Sequence, residues 1–315
     1  MIEESNKNNI FLAMMTWNAG QGHLEESIDS ILNQSYQDFS LLIYDDCSPN
    51  EPSSRIEPYL LKDKRVKYIK SDERRGMCDA SSYVLGLAPD NTTFFAWVSD
   101  HDLYDPEWLY ENISNLNANI SSMLSYSLVS GIDTSGASNE RKPTIYENTT
   151  MSRYKRISSL AHLEAGAGNM IWGIYRYKSL IKVGGWPKLV IPDVILLLRL
   201  SLFGSVAQVD KYLHIRREQS ERALHSGSMA ERQLRAIFPT TRPFYTLVSY
   251  QIINSLYLLR QAIYYKKNGA LFLPSFYIWF MYTYVNIKFF LFGVPKRIFN
   301  NRFTRFLASK LSNEK

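Results

Sequence analysis

Cysteine is scarce in this sequence, which has only Cys47 and Cys78 among its 315 residues. Two thiols cannot build the disulfide framework of a small secreted domain, and such scarcity is typical of proteins in a reducing compartment. The first seven residues are polar and acidic. Because they lack the apolar run of a secretory signal peptide, we expect a cytoplasmic protein.

Acidic residues are almost missing from the last quarter of the chain. Residues 241–315 contain 11 Lys and Arg and one acidic residue, a net charge of +10, whereas the first 240 residues contain 25 basic and 29 acidic residues, a net charge of −4. A basic and aromatic-rich tail suits an anionic membrane surface or nucleic acid, and its high apolar content favours the membrane. We therefore expect a membrane surface as a partner and no nucleic-acid binding.

Long hydrophobic runs are also scarce, and only two uncharged stretches of the tail, residues 244–259 and 268–287, approach one. A spanning helix needs roughly 20 predominantly apolar residues. The second stretch only just reaches that length and contains polar side chains and aromatics throughout, which favours a helix lying in the interface. The expected location is therefore the inner face of the cell membrane, in peripheral association. The alternative is a soluble helical subdomain or the interface of a homo-oligomer.

Apolar runs alternate with helix-like segments in the first hundred residues. The predicted strands are 10–16, 39–44, 66–69 and 94–98, and the predicted helices are 24–32 and 78–87. Strands that alternate with helices at this interval form a parallel, doubly wound sheet. Ligands bind such sheets where strand ends meet loops, and the predicted strands are followed by polar clusters.

Two aspartates, Asp100 and Asp102, follow the fourth predicted strand. In an extended chain residues i and i+2 point the same way, so these carboxylates converge and repel each other unless a cation lies between them. Mg²⁺ and Mn²⁺ are commonly held by one or two carboxylates together with substrate phosphates. The pattern predicts such a site, with His101 pointing to the opposite face. The alternative is that Asp102 or Asp105 only caps a helix opening at Pro106.

Several motifs share a fixed order along the chain. They are Thr16-Trp17-Asn18, the run 34–48 that ends in Asp45-Asp46-Cys47-Ser48, Gly76, the Asp100-x-Asp102 pair, Gly173-x-Tyr175-Arg176, Gly184-Gly185-Trp186, and Asp193 with Arg199 six residues later. In this order the motifs resemble those of the family 2 glycosyltransferases of the GT-A fold, over roughly residues 9–220. Cys47 departs from that family, in which glycine is commoner, and Pro192 replaces the first acid of its E-D pair.

The resemblance implies a fold and an activity. The implied fold is α/β, a Rossmann-like GT-A domain whose mostly parallel sheet is flanked by helices, over residues 1–225, with a helical, membrane-associating extension over residues 226–315. The implied activity is inverting and uses Mn²⁺ or Mg²⁺. A sugar moves from a nucleotide-diphosphate donor, with UDP favoured, to a hydroxyl of a glycan or lipid-linked acceptor, in surface polysaccharide synthesis.

The resemblance also implies roles for individual residues. Asp102, helped by Asp100, would hold the metal, and Asp193 would be the catalytic base. The nucleotide-binding residues would be Thr16, Asn18, Asp45, Arg74, Arg75 and Asp100, and the acceptor or lid residues would be Trp186, Arg216 and Arg217. Asp46 would either share the nucleotide site or tie its loop through Ser48, and the lid histidine of the family would correspond to Glu218 or His214.

Two other functions remain open from the residues alone. A nucleotidyltransferase would also use a strand-end D-x-D and Mg²⁺, but it predicts a Gly-rich phosphate loop where this chain has only Gly20 and Gly22. A protein that binds sugar nucleotides or acts as a scaffold without catalysis would explain Pro192 and Glu218.

Overall fold

A nine-stranded mixed sheet forms the centre of the protein. The computed structural model describes residues 9–20, 22–133, 135–139, 145–162, 167–218, 234–239, 250–265 and 269–292. The strands are β1 Ile10–Thr16, β2 Phe39–Asp45, β3 Val66–Lys70, β4 Phe94–Ser99, β5 Leu103–Tyr104, β6 Ser122–Ile132, β7 Ser138–Asn139, β8 Ile174–Arg176 and β9 Ser205–Arg217. Their order is β3-β2-β1-β4-β8-β6-β9-β5, and β7 pairs with β6.

Helices surround the sheet. They are α1 His23–Leu32, α2 Ser53–Lys62, α3 Met77–Gly86, α4 Trp108–Ala118, α5 Arg153–Ala161, α6 Ala167–Met170, α7 Tyr177–Val183, α8 Pro192–Leu200, α9 Tyr250–Tyr264 and α10 Gly269–Phe292. The four strands and two helices predicted in the first hundred residues are confirmed to within one residue at each end. Helix α2 was not predicted, because it buries only Ile56 and contains Pro58.

The apolar runs of β1 and β4 form the middle of the sheet because both of their faces are covered. Leu12 and Met14 pack into the apolar cluster on one side, and Phe11 and Ala13 pack into the cluster on the other. Successive side chains of a strand point to opposite faces, so a strand buried on both faces has an unbroken apolar sequence. Because β1 runs parallel to β2 and to β4, the carboxyl ends of β1 and β4, at Thr16 and Ser99, lie at the same edge of the sheet.

The sheet is mixed and not wholly parallel. Strand β8 lies antiparallel between β4 and β6, with Phe95 opposite Tyr175 and Leu124 opposite Tyr175. Strand β9 runs parallel to β6, and β5 pairs antiparallel with β9, with Tyr104 opposite His214. This antiparallel pairing brings the Asp100–Asp102 loop, just before β5, to the end of β9.

The C-terminal helices α9 and α10 pack on each other and on the sheet domain. Asn254 of α9 donates from Nδ2 to the carbonyl oxygen of Val190 (2.9 Å), and Arg199 of α8 donates from Nη1 to Tyr257 Oη (3.0 Å). Leu258 is buried in the same apolar cluster as the sheet. Of the helices in the described ranges, none is long and apolar enough to cross a membrane.

Candidate active site

Loops after β1, β2 and β4 meet at one edge of the sheet. Thr16 Oγ1 donates to Asp100 Oδ2 (2.8 Å), so the first and fourth strands are joined at their ends. Asn18 is exposed, has a left-handed φ of 54°, and its backbone N–H donates to Ser48 Oγ (3.0 Å). Thr16, Asn18 and Asp100 thus lie at the same edge of the sheet.

The paired aspartates after β2 have other partners than the sequence suggested. Asp45 accepts hydrogen bonds from the Ser48 backbone N–H (2.8 Å) and from Tyr68 Oη (3.0 Å), and it is fully buried. The tie through Ser48, considered for Asp46, is therefore made by Asp45. In this conformation the Asp45 carboxylate has no surface to offer a nucleoside, so its nucleotide-binding role would require the loop to move.

Asp46 instead organises the loop that precedes α3. Its two oxygens accept the backbone N–H groups of Arg75 and Gly76, both at 2.8 Å. Burial raises the pKa of Asp46, although these N–H donors and the nearby Arg74 and Arg75 oppose the shift. The carboxylate of Asp46 thereby fixes the backbone at Arg75 and Gly76.

Arg74 and Arg75 make different contacts. The Arg74 guanidinium stacks on Trp17, 3.4 Å from the ring centroid, and its Nε is buried with no hydrogen-bond partner. Burial lowers the pKa of Arg74, so its charge is poorly solvated. Arg75 Nε donates to Tyr44 Oη (2.9 Å), and its guanidinium lies over Tyr83. Of these two arginines, Arg74 is therefore the one whose Nε has no hydrogen-bond partner.

A cavity of about 300 Å³ opens beside these arginines. Its lining combines three cationic side chains, two acidic side chains and two apolar residues: Arg74, Arg75, Lys188, Glu73, Asp79, Phe238 and Pro239. Pro239 Cδ and the backbone of 236–237 also cover Gly76, where a β-carbon would lie 2.8–2.9 Å from them. The loop before α3 thus forms one wall of a cationic cavity.

The Asp100–Asp102 loop differs from the expected geometry at His101. His101 does not point away: its Nδ1 lies 2.7 Å from Asp100 Oδ1, and its Nε2 lies 3.7 Å from Asp102 Oδ1. The prediction was wrong because residues 100–102 form a bend and not an extended strand. Burial disfavours protonation of His101, but the two carboxylates outweigh it and raise the pKa.

Asp102 is almost completely buried, with 2% of its surface exposed. Its Oδ2 lies 3.0 Å from His214 Nε2, and its Oδ1 accepts the Arg217 backbone N–H at 2.9 Å. Burial alone would raise the pKa of Asp102, but His214, His101 and the Arg217 N–H hold it at about 2. Asp102 caps no helix: the turn before α4 is made by Asp105, which accepts the Glu107 backbone N–H.

The chemistry of this loop fits a divalent cation. It brings two carboxylates and one imidazole within a few ångströms, and Asp100 and His101 retain exposed surface. Oxygen donors suit Mg²⁺ and Mn²⁺, and imidazole is a common ligand of transition metals. Within the described ranges, no group of three or more His, Cys, Asp or Glu side chains is arranged to hold a metal ion. Further ligands would have to come from the substrate.

The end of β9 supplies the residues expected in the lid. Arg217 is buried; its Nε donates to the carbonyl oxygen of His101 (3.0 Å), and its guanidinium pairs with Glu26 of α1. The guanidinium of Arg217 is therefore engaged in holding the Asp100–Asp102 loop. Arg216 points the other way and donates from Nη1 to Asn169 Oδ1 (3.0 Å). His214 is buried against Asp102 and Tyr104, whereas Glu218 is exposed. Of these two residues, His214 is thus the one that supports the Asp100–Asp102 loop.

Asp193 lies in the first turn of α8, below the short helix α6. A methyl group placed on Gly168 would lie 2.9 Å from Asp193 Oδ2, and Asp193 Oδ1 is buried without a hydrogen-bond partner. Burial raises the pKa of Asp193, and the backbone N–H groups of the first turn and Arg216 oppose the shift. The N-cap residue of α8 is Ile191, which has a φ of 55° and makes no side-chain cap. The site thus holds a carboxylate with an uncompensated oxygen.

Trp186, proposed as an acceptor platform, is a core residue in this conformation. Only 4% of it is exposed, and its ring packs edge-on against Trp97 and Trp172. Trp97 is fully buried. The half-buried Trp172 is the member of this row with an accessible surface.

Sequence reasoning missed several residues of the site. Trp17, Gly168, Trp172 and Glu26 contact the predicted residues from elsewhere in the chain. A role for Trp17 could have been predicted, because it lies between two predicted site residues, Thr16 and Asn18, directly after a strand. Gly168 and Glu26 carry no local signal, since their importance depends on which residues lie opposite.

The chain belongs to glycosyl transferase family 2. The profile of that family matches residues 12–179, just over half of the 315 residues. An uncharacterized glycosyltransferase of Methanocaldococcus jannaschii is 29% identical over 156 residues, 49% of this chain and 53% of the relative. A protein of Escherichia coli K12 named as a colanic acid biosynthesis glycosyl transferase, WcaA, is 31% identical over 105 residues, 33% of this chain and 37% of the relative. The matches thus span about half or less of these relatives.

Solved structures share the fold. The crystal structure of S. aureus TarS 1-349 in complex with UDP-GlcNAc superposes with a TM-score of 0.57 and 14% identity, over 80% of this chain and 66% of that one. The complex of the same protein with UDP gives a TM-score of 0.54 and 14% identity, over 89% and 91% of the two chains. At this identity the likeness shows the fold, and it confirms the GT-A architecture.

Proposed function

We propose that this glycosyltransferase is an inverting, metal-dependent enzyme that transfers a sugar from a UDP-type donor to a hydroxyl of a glycan or lipid-linked acceptor in surface polysaccharide synthesis. Family membership supports transfer of a glycosyl group. The UDP-GlcNAc bound by S. aureus TarS supports a UDP-type donor, and the similarity to WcaA supports a polysaccharide product. We place the enzyme in the cytoplasm, in peripheral contact with the membrane.

The observation that carries the mechanism is the state of Asp193. Its Oδ1 is buried without a partner, and its pKa is raised by burial. Buried carboxylates with a raised pKa are suited to accept a proton near neutral pH. As the acceptor oxygen attacks the anomeric carbon, its proton passes to Asp193, while the bond from that carbon to the diphosphate oxygen breaks. A single displacement inverts the anomeric centre.

The nucleotide would bind at the ends of β1 and β2. Trp17 offers an aromatic face, which Arg74 covers at 3.4 Å, and bases stack on such faces. We infer that Arg74 moves to the phosphates when a nucleotide is bound, since guanidinium binds phosphate oxygens in a bidentate fork. Thr16 and Asn18 lie at these strand ends, and Arg75 lines the cationic cavity.

Asp100 and Asp102, with His101, would hold Mn²⁺ or Mg²⁺. When bound, the ion neutralises the charge that develops on the leaving diphosphate. His214 and Arg217 keep the Asp102 carboxylate ionised and in place.

Nucleotide binding and transfer test this proposal together. We expect UDP to raise the melting temperature more than GDP or dTDP, and more with Mn²⁺ than without it. Asp193→Asn should keep this shift and lose at least about a hundredfold in turnover, the lower end of what general base catalysis contributes. Asp90→Asn, an exposed aspartate outside the site, is the matched control.

Three outcomes would contradict the proposal in different ways. Full turnover by Asp193→Asn would exclude it as the base. Binding of UDP-sugars by the wild type without any hydrolysis or transfer would favour the non-catalytic alternative. Release of inorganic pyrophosphate from a nucleoside triphosphate, with transfer of the nucleotidyl group to the substrate, would identify a nucleotidyltransferase.

A further inference from the structure

Helices α9 and α10 expose an apolar surface to solvent. We call it the outer face; its large apolar side chains are Ile252, Leu256, Ile263 and Tyr264 of α9 and Leu273, Phe276, Phe280 and Tyr284 of α10. On α10 these four recur every three or four residues, so they form one stripe along the helix. The opposite stripe of α10, which includes Ile278, Met281 and Tyr282, is buried in the core.

A surface helix of a protein in water normally has a polar outer side, and a helix that is apolar all round is normally buried. Helix α10 fits neither description, because the exposed positions among its described side chains are all apolar or aromatic. Polar side chains of both helices are directed inward, where Asn254 binds Val190 and Tyr282 and Ser255 lies 2.7 Å from Thr283, whereas Arg260 of α9 is exposed. The outer face is therefore apolar along α10 and carries one described cation on α9.

The sequence in and next to the two helices is strongly basic. The sequences of α9 and α10 contain no acidic residue, and their charged residues are Arg260 and Lys288. Lys266 and Lys267 lie between the two helices in sequence, and the sequence after α10 adds six more basic residues and one acidic residue. A basic sequence that carries an apolar, aromatic stripe complements an anionic lipid surface, in which such a stripe enters the acyl boundary and cations meet head groups.

We propose that the outer face binds an anionic lipid bilayer in the plane of its interface. The hairpin of α9 and α10 is tied to both ends of helix α8, through Asn254 to Val190 and through Tyr257 to Arg199. Bilayer contact then holds the helix that carries Asp193 beside the membrane surface. This deepens the proposed function, because it requires an acceptor presented at that surface, a lipid-linked one.

Vesicle flotation of the full-length protein tests the face directly. Vesicles of phosphatidylcholine with phosphatidylglycerol should float the wild type, vesicles of phosphatidylcholine alone should float much less of it, and added salt should weaken binding. The double variant Phe276→Glu, Phe280→Glu should reduce the bound fraction at least about tenfold, because two aromatic side chains no longer enter the apolar phase. Leu61→Glu, Ile120→Glu is the matched control, since both residues are 82% exposed on the sheet domain.

A second pair, Leu256→Glu with Ile263→Glu, tests the same face from α9 and guards against a local effect on α10. Unchanged flotation of both face variants, with unchanged melting temperatures, would overturn the proposal. A dimer in light scattering that these variants dissociate, without vesicle binding by the wild type, would assign the face to a second copy and also overturn it. Transfer to a soluble acceptor should persist in the variants, so failure of this inference is distinct from failure of the proposed chemistry.

Discussion

At the scale of single residues, the environment of Asp193 makes a prediction about pH. Its folded pKa is raised by burial, so the carboxyl keeps its proton to a higher pH than an ordinary aspartic acid. A general base acts only when deprotonated. We therefore expect the transfer rate to fall as pH drops through a value above the usual aspartate range of about 4, and we expect Asp193→Asn to remove this limb from the pH–rate profile.

The same shift has a consequence for stability. A raised folded pKa means that the contribution of this group is fully present below its unfolded pKa and is lost as pH rises through the folded pKa. At neutral pH the ionised Asp193 is therefore destabilising, and Asp193→Asn should keep or raise the melting temperature. A residue that only capped α8 would behave oppositely, because losing a cap costs about 1 kcal/mol.

The backbone at Cys47 shows why glycine is commoner at this position in the family. Cys47 has a φ of 60°, in the left-handed region where glycine is at ease and a side chain is strained. Asn18 and Ile191 share this conformation, and all three lie in loops of the site. Strained backbone is concentrated at functional sites, where the surrounding structure holds it.

At the scale of elements, the contact between α6 and α8 fixes the position of the Asp193 carboxylate. Gly168 lies so close to Asp193 Oδ2 that a β-carbon there would be only 2.9 Å from that oxygen. We expect any side chain at this position to displace the carboxylate. Gly168→Ala should therefore lower turnover on the order of a hundredfold, the effect of a misplacement of about 1 Å, with nucleotide affinity unchanged.

The control for this prediction is Gly86→Ala, at the end of α3. No heavy atom lies within 4 Å of a β-carbon at that position, and neither glycine has a positive φ. Steady-state kinetics of the two variants should differ although the substitution is the same. Equal turnover would show that the close contact between Gly168 and Asp193 does not position the carboxylate for transfer.

At the scale of the whole molecule, the C-terminal helices share the core of the sheet domain. Leu258 of α9 is 3% exposed and packs in that core, whereas Leu256, two residues earlier, is 61% exposed. Leu258→Ala should cost about 2–5 kcal/mol of unfolding free energy, and Leu256→Ala should stay within about 0.5 kcal/mol. We expect one cooperative transition in denaturant for both variants.

A separate early transition in Leu258→Ala would show instead that the helices unfold independently of the sheet. That result would support the boundary expected near residue 225. The shared apolar cluster and the tie from Arg199 to Tyr257 favour a single unit in the described ranges.

The sequence by itself determined the central strands and the place of the site. Residues 10–15 and 94–98 are all apolar, as expected for strands whose two faces are both covered, so these runs are unbroken and easily recognised. Because parallel strands end at one edge, Thr16 and Asp100 were expected together, and a 2.8 Å hydrogen bond joins them. The order of the motifs was enough to predict the GT-A fold.

Only the tertiary structure decided which of these side chains remain free to act. Asp102 meets His214 and Arg217 because β5 pairs antiparallel with β9, more than a hundred residues away, and no local pattern sets that pairing. The same long-range packing buries Trp186 and places Gly168 over Asp193. Local patterns report which face of an element is buried, whereas partners across the sheet are set by registers and loop paths that distant residues determine together.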